Sequence, residues 1–245
     1  MNNIKVIVNG AKGKMGQECV KAIQNATDMS LVAQLDQNDH LAEHIIKTQA
    51  DVVVDFTHPS CIQANIQTMI AQKCRGVIGT TGLSEDDLDH IRKQCKDAQV
   101  GIAICPNFAI GAILMMQFAS QAAQYLNDVE IIETHHNQKA DAPSGTAIKT
   151  AQMIAEKAPN VNPKQAPLDD EKIGSRGHVV NGIPIHAVRL PGFVANQEVI
   201  LGSQGQSLHI KHHTIDRTCF MPGVLLAIRH IQKETRLVYG LENFL

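Results

Sequence analysis

The stretch IKVIVNGAKGKMG, residues 4–16, joins a short apolar run to three glycines spaced G-x-x-G-x-x-G. The apolar run predicts a buried strand, and Met15, Cys19 and Ile23 recur at helical spacing behind the glycines. A strand, a glycine loop and a helix in this order place a dinucleotide pyrophosphate over the helix N-terminus, because glycine lets the backbone approach it closely. The stretch therefore predicts the first βα unit of a parallel sheet with a nucleotide at its edge.

The rest of the first hundred residues repeats the alternation of strand and helix. Apolar runs predict further strands at residues 31–35, 51–56, 76–78 and 100–104. Helical stripes fall at residues 62–70 and at residues 88–95, where Ser84 is a candidate N-cap. Strands that alternate with helices imply right-handed crossovers, so we expect a parallel sheet covered on both faces.

The pattern changes after Pro106, and the second half reads as α+β. Helices are predicted at residues 110–126, 145–157 and 223–233, and strands at residues 129–134, 183–189, 198–202 and 208–212. Residues 203–206 predict the turn of a hairpin between the last two strands. A proline-containing loop is predicted between residue 158 and about residue 177.

Composition excludes several classes of protein. The chain has 245 residues, a formal net charge of −2, six Phe, two Tyr and no Trp, which disfavours a nucleic-acid partner that needs a basic field or exposed rings. Six cysteines without C-x-x-C spacing indicate reduced thiols and a cytoplasmic location. The first apolar run ends at glycines, unlike a signal peptide, and the apolar stretch 108–118 is shorter than the about 20 residues that span a bilayer.

Asp36 is the candidate residue for cofactor choice. It ends the second predicted strand, and it follows Gly16 by about 20 residues, where an acid accepts hydrogen bonds from the adenosine ribose. Its neighbours are Gln and Asn rather than an arginine that would hold a 2′-phosphate, so NADH is mildly favoured over NADPH. Lys12 and Lys14 still offer positive charge, and the alternative is a glycine-rich turn with a surface Asp.

Two later loops follow predicted strands at the same sheet edge, GTTG at residues 79–82 and CPNF at residues 105–108. Ligands of open α/β sheets bind at the carboxyl ends of strands, so these loops are expected to reach the nicotinamide, unless they are merely connections. The candidate cofactor-binding residues are Gly10, Ala11, Lys12, Gly13, Lys14, Met15, Asp36, Gly79, Thr80, Thr81, Pro106, Asn107 and Phe108.

The stretch ETHHNQKADAPSGTA, residues 133–147, carries the candidate chemistry. Histidine is the residue type suited to exchanging protons near neutral pH, so His135 and His136 are candidate proton donors, and Lys139 adds a full charge. Ser144, Gly145 and Thr146 open a helix whose free N–H groups form a carboxylate site. These parts predict an anionic substrate and a proton donor, against the alternatives of a plain helix cap and solvated side chains.

A metal site is the other alternative at the two histidines, with His209, His212 and His213 downstream. No third ligand stands at a recognisable spacing, so we expect no metal. The downstream histidines are expected on the polar face of a strand, because Leu208 and Ile210 alternate with them.

The run from Glu133 to Ala147 resembles the signature of the 4-hydroxy-tetrahydrodipicolinate reductase family, long called dihydrodipicolinate reductases. The glycine loop, the DFT at residues 55–57, the GTTG loop and the Asn107-Phe108 pair resemble that family in the same order. The similarity covers nearly the whole chain and is weakest over residues 159–176.

This resemblance implies a fold in two domains. A Rossmann-like parallel-sheet domain would span residues 1–106 and be completed by a C-terminal helix at residues 217–245. A substrate-binding and oligomerisation domain with a mixed sheet would span residues 107–216, and the assembly would be a homotetramer.

The resemblance also implies the reaction, which is the NAD(P)H-dependent reduction of a small cyclic dicarboxylate to tetrahydrodipicolinate, with loss of water, towards diaminopimelate and lysine. His135 corresponds to the catalytic histidine and Lys139 to the proton donor. His136, Gly145 and Thr146 correspond to substrate-binding positions, and Arg217 aligns more loosely with a carboxylate-binding one.

Two rival functions remain open from the residues alone. One is a dehydrogenase with a similar first domain that acts on an amino-acid semialdehyde or an imine. The other is a catalytically silent protein that senses NAD. The first would lack the run from His135 to Thr146, and the second would have no need to keep proton donors.

Overall fold

The structure, a computed structural model, describes residues 3–162 and 175–245. Within those residues the strands are β1 (Ile4–Asn9), β2 (Met29–Leu35), β3 (Val52–Asp55), β4 (Arg75–Ile78), β5 (Ile102–Ile104), β6 (Asp128–His135), β7 (His178–Val180), β8 (Ile183–Arg189), β9 (Ala195–Ser203), β10 (Gln206–Thr214) and β11 (Leu237–Tyr239). The helices are α1 (Lys14–Asn25), α2 (Leu41–Thr48), α3 (Ile62–Ala71), α4 (Glu85–Ala98), α5 (Ile110–Ala122), α6 (Gly145–Lys157) and α7 (Met221–Ile231). Short 3-10 helices span Pro59–Cys61, Arg217–Phe220 and Leu241–Phe244.

The chain separates into two compact units, one formed by Met1–Ile110 with Arg217–Leu245 and the other by Gly111–Asp216. The first unit holds a sheet with the strand order β11-β5-β4-β3-β1-β2. All of its strand pairs are parallel. Such a sheet is covered on both faces, and its central strands accordingly bury every residue from Val52 to Val54.

The strand order of the first sheet reverses between β1 and β3. From β1 the chain moves outward to β2, and it then returns across β1 to form β3 on the other side. Ligands of open α/β sheets bind outside the carboxyl ends of the strands at such a point. The ends of β1 and β3, at Asn9 and Asp55, therefore mark the functional edge of this unit.

The second unit holds a mixed sheet with the order β10-β9-β6-β8-β7. The central strand β6 runs antiparallel to β9 and parallel to β8. Alternate residues of β6, Val129 and Ile131, are buried on one face of the sheet, and helix α6 packs on this strand. The two sheets confirm the predicted class, a Rossmann-like parallel sheet followed by an α+β unit with a mixed sheet.

Most predicted elements are found, several at the predicted bounds. Helix α6 begins at Gly145 and ends at Lys157, and Ser144 caps it by accepting a hydrogen bond from the Ala147 N–H. Ser84 caps α4 in a reciprocal capping box with Asp87. The hairpin of β9 and β10 is also present, with Gly205 in the left-handed region at its turn.

Some element predictions were wrong in extent or were missing. Helix α5 ends at Ala122, not residue 126, because the chain turns before it enters β6. Residues 217–245, expected as a helix, contain α7 but also β11, which adds an edge strand to the first sheet. Strands β7 and β11 and helix α2 were not predicted. The two strands have three residues each and α2 has only two buried residues, so none of them shows a hydrophobic period in the sequence.

The predicted loop after residue 158 falls largely on residues 163–174, outside the described part of the chain. In the part that is described, no helix combines the length and the hydropathy needed to cross a bilayer.

Candidate functional site

The glycine loop between β1 and α1 adopts a backbone that side chains would obstruct. Gly10 has φ +80°, and a Cβ there would lie 2.6 Å from the Phe56 carbonyl oxygen. A Cβ on Gly16 would lie 2.1 Å from the Gly10 carbonyl oxygen, which no real contact allows. Gly13 is the N-cap of α1 and offers no side-chain cap, and the uncapped start of a helix is the kind of backbone that binds anions.

Asp36, at the end of β2, folds back onto this loop. Its carboxylate accepts hydrogen bonds from the Gln37 N–H at 2.9 Å and the Lys12 N–H at 3.1 Å. These two bonds lower the pKa of Asp36, which is therefore ionised at neutral pH. Asp36, Gly10 and Gly13 line one cleft of about 590 Å³. The structure thus brings together the two cofactor signals that the sequence places about 20 residues apart.

The other residues of the glycine loop differ in exposure. Ala11 is buried and Met15 is half-buried, whereas the side chains of Lys12 and Lys14 are exposed. Both ammonium groups are therefore accessible to a phosphate at this edge.

A buried carboxylate of the DFT motif, Asp55, to which the sequence analysis assigned no role, organises the neighbouring strand end. Asp55 is fully buried, and one of its oxygens accepts from the Nδ2 atoms of Asn9 at 3.0 Å and Asn65 at 2.8 Å. The other oxygen accepts from the N–H of Thr57 at 3.0 Å and from its hydroxyl at 2.7 Å. The hydroxyl of Thr80 donates to the Thr57 carbonyl at 3.1 Å. Neutral donors therefore tie the ends of β1 and β3 to the GTTG loop.

The two later loops of the predicted cofactor site meet around Phe56. A Cβ on Gly79 would lie 2.2 Å from the Phe56 ring, and the Phe108 ring packs edge-on against the same ring at 5.9 Å. Phe108 is 3% exposed, so its ring serves as core rather than as an open face for a ligand. Asn107 accepts a hydrogen bond from the Ala109 N–H at 2.8 Å. Thr81 and Pro106 are exposed at this edge.

In the second unit, β6 places a carboxylate in its apolar face. Glu133 lies on the same side of the strand as Val129 and Ile131 and is fully buried. Its oxygens meet the Nη1 and Nη2 atoms of Arg189 at 2.7 and 2.8 Å, His135 Nδ1 at 2.6 Å, and the Ser144 N–H at 3.1 Å. Strand, neighbouring strand and helix start therefore converge on one group.

The surroundings of Glu133 keep it ionised. Burial raises the pKa of this carboxyl, but hydrogen bonds from His135 and Arg189 outweigh burial and lower it to about 2. Arg189 stands beside His135 in the parallel pairing of β6 and β8. Its own pKa is raised by the hydrogen bonds to Glu133. Glu133 and Arg189 are therefore both charged throughout the physiological range, and together with His135 they form the Glu133 cluster.

The loop after β6 presents Lys139. Its ammonium bonds both carboxylate oxygens of Asp141, at 2.7 and 2.8 Å, and this contact lowers the pKa of Asp141. The Lys139 side chain is 22% exposed and that of Asp141 is 59% exposed, so the pair stays within reach of a ligand. Arg189 Nη2 donates to the Asp141 carbonyl at 2.7 Å. The loop that carries Lys139 is thereby tied to the Glu133 cluster.

The start of helix α6 at Gly145 is the last part of the candidate site in the second unit. A Cβ built on Gly145 would meet nothing within 4 Å, so the first residue of α6 faces open space. His136 and Thr146 are half-buried beside it in sequence. Arg217 belongs to the other unit, where it is exposed in the 3-10 helix Arg217–Phe220.

Sequence reasoning missed the roles of Glu133 and Arg189. A carboxylate on the buried face of an apolar strand needs a partner, so Glu133 carried a readable signal. The cation that pairs with Glu133 could not be predicted in the same way, since Arg189 lies 56 residues further along the chain.

Among the downstream histidines considered as metal ligands, His209 pairs with Glu198 at 2.8 Å. Nowhere in the described ranges do three or more His, Cys, Asp or Glu side chains gather as a metal site.

Comparison with known proteins places this geometry in a family. The family model described as "Dihydrodipicolinate reductase, N-terminus" matches residues 4–108, and the one described as "Dihydrodipicolinate reductase, C-terminus" matches residues 111–245. These matches confirm the family that the motifs predicted.

Individual relatives align over almost the whole chain. Proteins named 4-hydroxy-tetrahydrodipicolinate reductase are 47% identical in Picosynechococcus sp., over 100% of this chain and 99% of the relative, and 48% identical in Coxiella burnetii, over 99% of each. A solved structure, dipicolinate-bound dihydrodipicolinate reductase from Paenisporosarcina sp. TG-14, has a TM-score of 0.90 at 41% identity and covers 99% of this chain and 100% of its own.

The Glu133 cluster predicts a specific acid sensitivity. A carboxyl whose pKa falls from 4.5 to about 2 on folding stabilises the native state above pH 4.5, and this contribution is lost as the pH falls towards 2. The shift corresponds to roughly 3 kcal/mol. We expect urea unfolding between pH 6 and pH 3 to show this decline in wild type and a shallower one in Glu133→Gln.

A matched control lies on the other face of the same strand, where Glu130 bonds His186 and Arg176. Glu130→Gln should keep the decline of the wild type. If Glu133→Gln follows the same curve as wild type, Glu133 is not the source of the acid sensitivity.

Proposed function

The chain belongs to the dihydrodipicolinate reductase family, and we propose that it reduces the cyclic dicarboxylate 4-hydroxy-tetrahydrodipicolinate to tetrahydrodipicolinate, with loss of water. It is an NAD(P)H-dependent oxidoreductase of the route to diaminopimelate and lysine. The observation that carries the proposal is the cluster in the second unit, where His135 is anchored by a buried carboxylate and Lys139 is presented on the next loop.

The first unit fits a dinucleotide. Its glycine loop leaves no room for side chains at Gly10 and Gly16, and the helix start behind it is uncapped by a side chain. The ionised Asp36 lines the adjoining cleft, where it would accept hydrogen bonds from ribose hydroxyls. NAD(P)H, when bound, supplies the hydride of the reaction. We assign cofactor binding to the thirteen residues predicted from sequence, with Phe108 contributing through packing rather than an exposed ring.

The second unit fits a small dicarboxylate. The ammonium of Lys139 and the exposed helix start at Gly145 offer a cation and backbone N–H groups to carboxylate oxygens. Ser144 orders that helix start, and His136 and Thr146 flank it in sequence. Arg217 is assigned to a carboxylate by family resemblance. The Paenisporosarcina enzyme was solved with dipicolinate, a flat pyridine dicarboxylate, and we propose the same ligand class for this chain.

His135 and Lys139 are assigned the proton that the reduction consumes. Hydride addition to an electron-poor ring builds negative charge, which a positioned acid must neutralise. With Nδ1 of His135 bonded to Glu133, the other ring nitrogen, Nε2, is left to hold and release a proton. Lys139 carries its proton on an ammonium group that bonds Asp141. A substrate carboxylate can attract this ammonium group away from Asp141.

We propose that the enzyme works in the cytoplasm as a homotetramer assembled through its second unit, which spans residues 107–216 as a functional domain. Large apolar side chains of that unit are open in the single chain, among them Phe118, Tyr125 and Val179, which are 51%, 84% and 54% exposed. Light scattering on the purified protein should give the mass of four 26.7 kDa chains. A monomer mass would contradict the assembly.

The assignment of proton donors predicts the effect of two substitutions. His135→Ala and Lys139→Ala should each lower kcat by about 10²- to 10⁴-fold, which is what a positioned proton donor contributes. NADH binding should stay unchanged, because both residues lie outside the unit that carries the glycine loop. The assay is NADH oxidation that depends on the product of the coupled synthase.

Matched controls are His90→Ala and Lys157→Ala, which remove exposed side chains of the same types from helices α4 and α6. Both should turn over like wild type. A wild-type protein that binds NADH without substrate-dependent oxidation would indicate the rival NAD sensor. Wild-type turnover in both His135→Ala and Lys139→Ala would remove these residues from the mechanism.

A second prediction concerns the preferred cofactor. If Asp36 bonds the ribose hydroxyls, Asp36→Ala should weaken NADH by about 10-fold or more, since hydrogen bonds to a charged group contribute about 1.5–3 kcal/mol. The affinity for NADPH should fall less, because in wild type the carboxylate of Asp36 repels the 2′-phosphate of NADPH and the substitution removes this repulsion. Fluorescence titrations with each cofactor measure both changes, and Asp97→Ala, an exposed acid of α4, is the control. Equal losses for both cofactors would exclude this role.

A further inference from the structure

Every oxygen of the Glu133 carboxylate is engaged by a donor of defined direction. Arg189 supplies a two-pronged contact from β8, His135 Nδ1 a short bond of 2.6 Å, and Ser144 its backbone N–H. The side chain is fully buried, so water does not compete for these bonds. Such charge-assisted contacts in a buried place fix geometry more firmly than exposed ones do.

An ionised carboxylate can only accept hydrogen bonds, which determines the state of the histidine. The bond to Glu133 requires that His135 Nδ1 carry a hydrogen. In the neutral ring Nε2 is then bare, and in the charged ring it holds the mobile proton. Glu133 thus selects the one ring nitrogen that can exchange a proton with a ligand.

Arg189 acts on both proton-bearing segments at once. Its guanidinium holds Glu133 by both terminal nitrogens, and Nη2 also donates to the Asp141 carbonyl at 2.7 Å. Asp141 in turn bonds the ammonium of Lys139. The Nε of Arg189 is buried without a partner among the described residues. A buried donor without a partner is unfavourable, so the contacts of the two terminal nitrogens must compensate for it.

We propose that Glu133 and Arg189 are positioning residues of the reduction: Glu133 holds His135 in one tautomer, and Arg189 anchors the loop of Lys139. The inference rests on the proposed function and extends it to two residues that act through His135 and through the loop of Lys139. Removal of Glu133 should lower kcat more than it raises the KM of the dicarboxylate, and removal of either residue should leave NADH binding nearly constant.

The same strand offers an internal comparison. On its other face Glu130 bonds His186 and Arg176, so the same three residue types recur with a different burial. Those side chains are 34%, 27% and 41% exposed, against 0%, 13% and 19% for Glu133, His135 and Arg189. Glu130→Gln therefore removes an equivalent carboxylate from β6 outside the proposed site.

The test is a double-mutant cycle on kcat in the synthase-coupled assay. Glu133→Gln should lower kcat by about 10²-fold, the lower end of what a positioned proton donor contributes, and Glu130→Gln should not change it. In a His135→Ala background Glu133→Gln should cost less than about 3-fold, because the group through which it acts is gone. A merely structural role would cost the same in both backgrounds.

Two further variants keep the test decisive if Glu133→Gln does not fold. Glu133→Asp keeps the charge and should restore part of kcat, and Arg189→Lys keeps a cation but loses the fork and should lower kcat by about 10-fold. Wild-type kcat in Glu133→Gln or in Arg189→Lys, or equal losses in both backgrounds, overturns the inference alone. An inactive wild type overturns the proposed function, and the inference falls with it.

Discussion

The second unit depends on one buried interaction, the ion pair of Glu133 and Arg189. A carboxylate at this depth costs several kcal/mol unless it is paired and fully hydrogen-bonded, so the fold must bring its partners to it. The partners come from β8, from the residue that ends β6 and from the N-cap of α6. Satisfying one charge thereby sets the mutual positions of a histidine, a lysine loop and a helix start, which are the parts that the proposed chemistry uses.

The first unit solves the same physical problem differently. Asp55 is equally buried, but its carboxylate is satisfied by the amides of Asn9 and Asn65 and by Thr57 rather than by a cation. These donors of Asp55 are uncharged groups, whereas Glu133 is paired with the cation of Arg189. Asp55 holds the strand ends beside the cleft that Asp36 lines, without using a cation. The other, Glu133, fixes the ring of His135, the residue that we propose as a proton donor.

Features of the fold and the site that are formed by residues close together in sequence could be predicted from the sequence. Three features each consist of residues that are neighbours in sequence: the glycine loop, the cap at Ser144, and the group of polar residues from His135 to Gly145. Spacing and residue type therefore predicted them, together with the fold class. Arg189 was not predicted because its place beside His135 follows from the pairing of β6 with β8, which no local pattern encodes. The core position of Phe108 depends likewise on its contact with Phe56.

The state of the His135 ring is the most direct measure of how the site is organised. A two-bond ¹H–¹⁵N correlation spectrum of protein labelled at histidine, with His135 assigned by its loss in a His135→Ala variant, reports which nitrogen carries the hydrogen. If Glu133 holds the ring as the geometry indicates, neutral His135 will be protonated at Nδ1 and bare at Nε2. A neutral ring protonated at Nε2 would contradict that organisation and leave Glu133 without its proposed role.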